Sequence, residues 1–295
     1  MKNVSARVCA CLCLATLSLP SPASAELIYG VAAVGNATAL VTWDSASPSD
    51  LVSSQFITGL QPNETILGID FRPAVAPAQL YALGSSSRLY TVNVGSGVAS
   101  QVPAPGGPFL PLVNGLAFGV SYDPGSDSIR NVSDADANFQ LNPTTAARTN
   151  GPNLVYAVGD PNVNVDPNIV HAAHSLGFYA VDSSLDILAK ESIVPGAMNT
   201  VGSLGFDVDS TGGFDVSSLT GTAYAALLPA SSSVSQFYSI NLATGAATSL
   251  GVIDGGLVIT AMAVGPAIPE PATAALFGIA LLGGLFTRRR LNRPE

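Results

Sequence analysis

Between residues 27 and 265 the apolar side chains come in short alternating runs separated by Gly, Pro, Ser, Asn and Asp. Alternation at period two is what a half-buried strand requires, because successive side chains point to opposite faces of a sheet. Leu80-Tyr81-Ala82-Leu83, Arg88-Leu89-Tyr90-Thr91-Val92, Ala223-Tyr224-Ala225-Ala226-Leu227 and Phe237-Tyr238-Ser239-Ile240 are examples. Turn residues recur about every 8–12 positions, the spacing of sandwiches, barrels and propellers. No stretch of this body carries a helical period.

A longer repeat is laid over the short one. Ile69-Asp70-Phe71, Leu116-Ala117-Phe118 and Leu204-Gly205-Phe206-Asp207 each read as the opening strand of a unit. Leu89-Tyr90-Thr91-Val92-Asn93 and Phe237-Tyr238-Ser239-Ile240-Asn241 align, and each is followed by a Gly-containing turn and a strand of small residues. The units fall at about 64–102, 112–149, 153–193 and 200–253. A composite unit joins Ile259–Val264 to three strands between Leu27 and Ile57. Such a join closes a ring and removes exposed sheet edges. The expectation is an all-β, β-propeller-like domain of about five four-stranded blades over residues 26–265.

The two ends are of a different character. Lys2 and Arg7 precede an apolar run from Val8 to Leu19, Pro20 and Pro22 break it, and Ala23-Ser24-Ala25 supplies small residues for a signal peptidase. Residues 1–25 are therefore expected to be a signal peptide, and Glu26 the first mature residue. Cys9, Cys11 and Cys13 all lie inside the apolar run, so the mature chain has no thiol for a disulfide, a nucleophile or a metal. At the other end, in residues 266–295, Pro269-Glu270-Pro271 precedes an apolar stretch from Ala272 to Phe286 and then Arg288-Arg289-Arg290. As a helix, residues 272–286 would rise about 22 Å, short of the ~30 Å hydrocarbon core unless flanking residues and snorkelling arginines extend it. The arginines favour the cytoplasmic side, which leaves the body outside.

The charges follow the same division. Between Glu26 and Gly265 only Arg72, Arg88, Arg130, Arg148 and Lys190 face eighteen acidic residues, a net of −13. A surface of that sign repels phosphate backbones, which excludes nucleic acid as a partner.

The C-terminal arrangement of Pro-Glu-Pro, short apolar helix and arginine cluster resembles the PEP-CTERM sorting signal. The resemblance implies recognition by an exosortase-type transpeptidase in the inner membrane, processing near Pro269-Glu270-Pro271, and delivery to the cell surface or extracellular matrix of a Gram-negative cell that makes exopolysaccharide. The body resembles a secreted bacterial family known as domain of unknown function 4394. Tyr122-Asp123-Pro124, Ile129-Arg130-Asn131-Val132-Ser133-Asp134, Asn199–Gly205 and Tyr238–Thr248 carry that likeness. Asn131 and Asp136-Ala137 depart from the usual family residues. The family implies a propeller-like fold and no assigned activity.

Two acidic runs could hold a hard cation such as Ca²⁺. Asp134, Asp136 and Asn138 alternate with small residues, and Asp207, Asp209, Thr211 and Asp215 surround Gly212-Gly213. Neither continues into the Gly and distant Glu of an EF-hand loop, and the ordinary reading is an Asx-rich turn for the first and a turn needing positive φ at the glycines for the second. His171 and His174 are the only histidines, and a spacing of three on a strand puts them on opposite faces, where structural roles are expected. No Gly-x-Ser-x-Gly elbow, third glycine of a dinucleotide loop or P-loop lysine is present. The expectation is a non-enzymatic surface or matrix scaffold with no cofactor; the alternative is a calcium-dependent, lactonase-like propeller hydrolase.

Overall fold

The computed structural model describes residues 25–266 apart from 36, 74, 76 and 103–106. The strands, in chain order, are β1 (Leu27–Val34), β2 (Ala37–Asp44), β3 (Ser47–Phe56), β4 (Ile66–Arg72), β5 (Gln79–Gly84), β6 (Arg88–Val92) and β7 (Ala99–Gln101). They continue with β8 (Phe118–Asp123), β9 (Ser128–Ser133), β10 (Asn138–Leu141), β11 (Arg148–Asn150), β12 (Val155–Tyr156), β13 (Ile169–His174) and β14 (Phe178–Asp182). The last seven are β15 (Ile187–Glu191), β16 (Ala197–Ser203), β17 (Val208–Val216), β18 (Ala223–Pro229), β19 (Gln236–Ile240), β20 (Ala247–Val252) and β21 (Ile259–Val264).

These strands form five sheets with the orders β21-β1-β2-β3, β4-β5-β6-β7, β8-β9-β10-β11, β13-β14-β15-β16-β12 and β17-β18-β19-β20. The first strand of each order packs against the first strands of the two neighbouring sheets, so the five blades close into a β-propeller. The composite first blade is the closure. β21 pairs antiparallel with β1, Ile28 opposite Val264 and Gly30 opposite Met262.

Two unit boundaries differ from the sequence expectation. The blade expected at 153–193 runs on to Ser203, because β16 pairs with β15 from Ile187/Ser203 to Glu191/Met198. The next blade therefore opens at Val208, not at Leu204-Gly205-Phe206-Asp207. The third blade opens two residues later in the chain than expected, with Phe118–Asp123 in place of Leu116-Ala117-Phe118.

Every blade turns from its third to its fourth strand by the same device. The residue at that corner is Asp44, Asn93, Asn142, Ser192 or Asn241, and its side-chain oxygen accepts the amide two residues on at 2.7–3.0 Å. Short polar side chains that mimic a backbone turn are favoured at such corners.

The core is divided into five clusters, one for each contact between blades. At the closing contact Trp43, fully buried, stands edge-on to Phe237 of the last blade with ring centroids 5.5 Å apart. A Cβ on Gly30 would lie 2.6 Å from Cζ3 of Trp43, so this strand carries glycine where the indole packs against it. Replacing Trp43 by Ala should cost about 3–5 kcal/mol of stability, read from urea unfolding followed by circular dichroism. A loss below about 1 kcal/mol would contradict the closing contact described here.

Candidate functional site

The five inner strands surround a central channel, and their sequences set its shape. β4, β8 and β17 repeat one pattern, Gly68-Ile69-Asp70, Gly119-Val120-Ser121 and Gly213-Phe214-Asp215. His171-Ala172-Ala173 of β13 and Ala261-Met262-Ala263 of β21 hold the matching positions. The register follows from close approach: a Cβ on Gly119 would lie 2.5 Å from the Ala172 nitrogen, and one on Gly213 would lie 2.3 Å from the Met262 nitrogen. The glycines let neighbouring inner strands touch through their backbones. At this level the channel narrows to about 10 Å³, room for about one water.

Below the throat, at the C-terminal ends of the inner strands, lies a cavity of about 140 Å³ lined by Asp70, Tyr122, His174, Asp215 and Ser218 among others. Asp70 and Asp215 act as staples between blades. One oxygen of Asp70 accepts the Phe71 amide at 2.6 Å, and the other accepts the Tyr122 amide of the next blade at 2.5 Å. Asp215 repeats the arrangement with the amides of Val216 and Val264, both at 2.7 Å. The third blade has Ser121 at this position, and its hydroxyl meets His174 Nδ1 at 2.9 Å. Burial pushes both carboxyls up, against the pull of their amide partners: Asp215 reaches about 7, and Asp70 is raised further by the charge of Asp215. Burial holds His174 below its ordinary value, with Asp123 opposing.

Above the throat, at the N-terminal ends of the inner strands, a cavity of about 300 Å³ opens. His171 lines both it and the throat. The imidazole is 3% exposed and its Nε2 has no hydrogen-bond partner. Burial pushes its pKa down to about 4, opposed by Asp209, so the ring is neutral at physiological pH.

The residues singled out from sequence are placed as follows. Asp134 accepts the Leu116 amide at 2.8 Å. Asp136 takes a left-handed backbone conformation in the turn before β10, and its carboxyl is pushed up by partial burial and by Asp166. Asn138 is buried, its oxygen accepting from Arg130 Nε at 3.1 Å and its amide donating to the Pro152 carbonyl at 2.8 Å. Arg130 is itself paired with Glu191 at 2.6 Å, so a guanidinium holds the oxygen that alternation offered to a cation. Asp207 lies just before β17 and gives its carbonyl to the Ala230 amide, and Asp209 accepts the Thr211 amide. Asp215 stands at the far end of β17 in the lower cavity. Asp207 and Asp209 thus stand at the start of β17 and Asp215 near its end, and among the described residues no three His, Cys, Asp or Glu side chains are placed to hold a metal. Ala25 is exposed and Glu26 buried. Ala23, Pro269, Glu270, Pro271, Arg288, Arg289 and Arg290 lie outside the described residues.

Asp70 and Asp215 as a pair were missed in sequence. The signal is the repeat Gly-x-Asp followed by an apolar residue, but placing the opening strand at Leu204-Gly205-Phe206-Asp207 aligns Asp70 with Gly205, ten residues before Asp215.

The two staples make stability depend on pH. A carboxyl raised from 3.8 in the unfolded chain to about 7 in the fold binds a proton in the native state across that window. Stability is therefore greatest below about pH 4 as far as this group is concerned, and falls as pH rises towards 7. The melting temperature should drop between pH 5 and pH 8, and Asp215→Asn should flatten that slope while lowering the pH 5 value. A slope of opposite sign, or one untouched by the substitution, would contradict the assignment.

Comparison with known proteins gives the following. Residues 39–263 match the family described as domain of unknown function (DUF4394), and residues 267–290 match the PEP-CTERM protein-sorting motif. No curated protein matches the chain. Among solved structures, a structural genomics protein of unknown function from Bacteroides thetaiotaomicron is 14% identical with a TM-score of 0.46, over 78% of this chain and 58% of that one. TolB from Acinetobacter baumannii is 12% identical with a TM-score of 0.47, over 82% and 67%. Myxococcus xanthus glutaminyl cyclase is 12% identical with a TM-score of 0.46, over 80% and 86%. The sorting motif marks an exported protein handled by an exosortase-type system. With the family covering most of the chain and the sorting motif following it directly, the protein belongs to the DUF4394 family and carries a PEP-CTERM signal.

Proposed function

We propose that the protein is a non-catalytic scaffold of the cell surface or extracellular matrix that engages exopolysaccharide. The observation that carries this reading is the state of the channel carboxylates. Asp70 and Asp215 each spend both oxygens on backbone amides. The two carboxyls of the lower cavity are thus committed to holding blades together. The acidic surface, net −13 between Glu26 and Gly265, supports a solvated extracellular body.

Maturation at both ends belongs to the same reading. Signal peptidase cuts after Ala25. Glu26 then becomes the first residue, and its surroundings suit that role: its nitrogen donates to Ser45 Oγ at 2.9 Å, and its carboxylate accepts from Ser217 and from Thr220 Oγ1. An α-ammonium keeps the same donor, and the contacts clasp the first blade to the last. The tail 266–295 holds the chain transiently in the inner membrane through residues 272–286, until the exosortase-type transpeptidase acts near Pro269-Glu270-Pro271.

Mass spectrometry of the exported protein should find Glu26 as the first residue and no arginine cluster at the end. In cells lacking the sorting peptidase, the chain should stay with the inner membrane. A mature product that retains Arg288-Arg289-Arg290 would contradict the processing. For the matrix role, the exported protein should co-sediment with the exopolysaccharide of its own cells; full recovery in the supernatant would contradict it.

A further inference from the structure

The upper cavity has a feature that the fold does not require. At the throat level, three of the five inner strands carry glycine and a fourth carries alanine, namely Gly68, Gly119, Gly213 and Ala261. β13 alone carries a large polar side chain, His171. The ring lies against the last blade, where a Cβ on Gly212 would be 3.1 Å from Nε2. Buried polar atoms in folded proteins are nearly always hydrogen-bonded, and an unpaired one is destabilising. A glycine or alanine here would match the other blades and leave nothing unsatisfied. The imidazole is therefore retained at a cost, at the floor of a cavity.

The rest of the lining defines the chemistry of an occupant. Thr38, Thr65, Ser210, Thr211 and Thr260 bring hydroxyls to the walls, and Val31, Leu67, Leu116 and Val170 bring apolar surface. No residue of the lining is charged when His171 is neutral. A phosphate, carboxylate or ammonium would lose its hydration there without a counter-charge. A molecule with several hydroxyls and an apolar C–H face meets both kinds of wall. The volume, about 300 Å³, is at the small end of ligand sites, which span roughly 300–1,000 Å³.

We infer that the upper cavity binds one unit of a neutral polyhydroxyl ligand, a hexose-sized sugar, with a ligand hydroxyl hydrogen-bonded to His171 Nδ1, Nε2 being enclosed against Gly212. The inference deepens the matrix reading and rests on it for the natural source of the sugar, whether a residue of a polymer or a free solute.

The test uses the full-length exported protein titrated with methyl glucoside, galactose, mannose and N-acetylglucosamine, followed by saturation-transfer NMR and calorimetry. At least one neutral sugar should bind saturably, with Kd on the order of 1 mM for so few atoms. His171→Gly restores the residue of the other blades, so the fold should survive, as checked by circular dichroism and melting. Affinity should fall about tenfold in H171G and about threefold or more in Thr211→Val, each a loss of one hydrogen bond. Glucose 6-phosphate should bind more weakly than the neutral sugars. Retention on dextran that is lost in H171G points to a polymer unit as the source, and binding of free hexose alone points to a solute; either supports the site. Absence of saturable binding by every neutral sugar, equal affinity in H171G and T211V, or tighter binding of the phosphorylated sugar overturns it. Co-sedimentation with exopolysaccharide that persists in H171G, together with no saturable binding of any neutral sugar, overturns the site while leaving the matrix role standing.

Discussion

The pairing of β1 with β21 is the interaction on which the other contacts depend. It joins Ile28 to Val264 and so brings the two ends of the body into one sheet. Without it the first blade has no inner strand, and two of the five inter-blade clusters lose Ile259, Met262 and Val264 on one side and Ala261 and Ala263 on the other. The last contact also carries Trp43 against Phe237 and the Asp215 staple to Val264. Because the partners are far apart in sequence, the loop entropy of closure must be met before these contacts reward it. Closure is therefore cooperative, with one sheet edge, one aromatic contact and one carboxylate acting at the same place.

The closed ring forces a choice in its channel. Five inner strands can approach only if side chains are small where they meet, which explains the glycines and the narrow throat. The throat separates two cavities of different chemistry. The lower holds the staple carboxylates and serves the blades. The upper is lined by hydroxyls and apolar groups around a neutral imidazole. Structural and recognition roles are thus divided between opposite ends of the same strands.

Much of this architecture was legible in the sequence, for identifiable reasons. The Asx corner after the third strand writes itself as Asn93 and Asn241, and the composite blade is visible as strands at both ends. The errors have physical causes too. β17 contains a bulge between Val208 and Gly212, so its period of two breaks where the inner strand should have been recognised. β12 is two residues long and adds parallel to β16, a pairing with no local pattern to announce it. Other features lie beyond any spacing rule: alternating Asp and Asn offers oxygens to a cation, and only the fold shows that Arg130 donates to Asn138. That His171 is the one large polar side chain at the throat level emerges only when all five inner strands are compared.

Amide hydrogen exchange resolved by fragment tests the central claim of ring closure most directly. If β1 and β21 form one closing sheet, their amides should be protected as strongly as those of β18, in the middle of the last blade, and should exchange together with it in one cooperative opening. Rapid exchange of β21 while β18 stays protected would show an open ring and contradict the account.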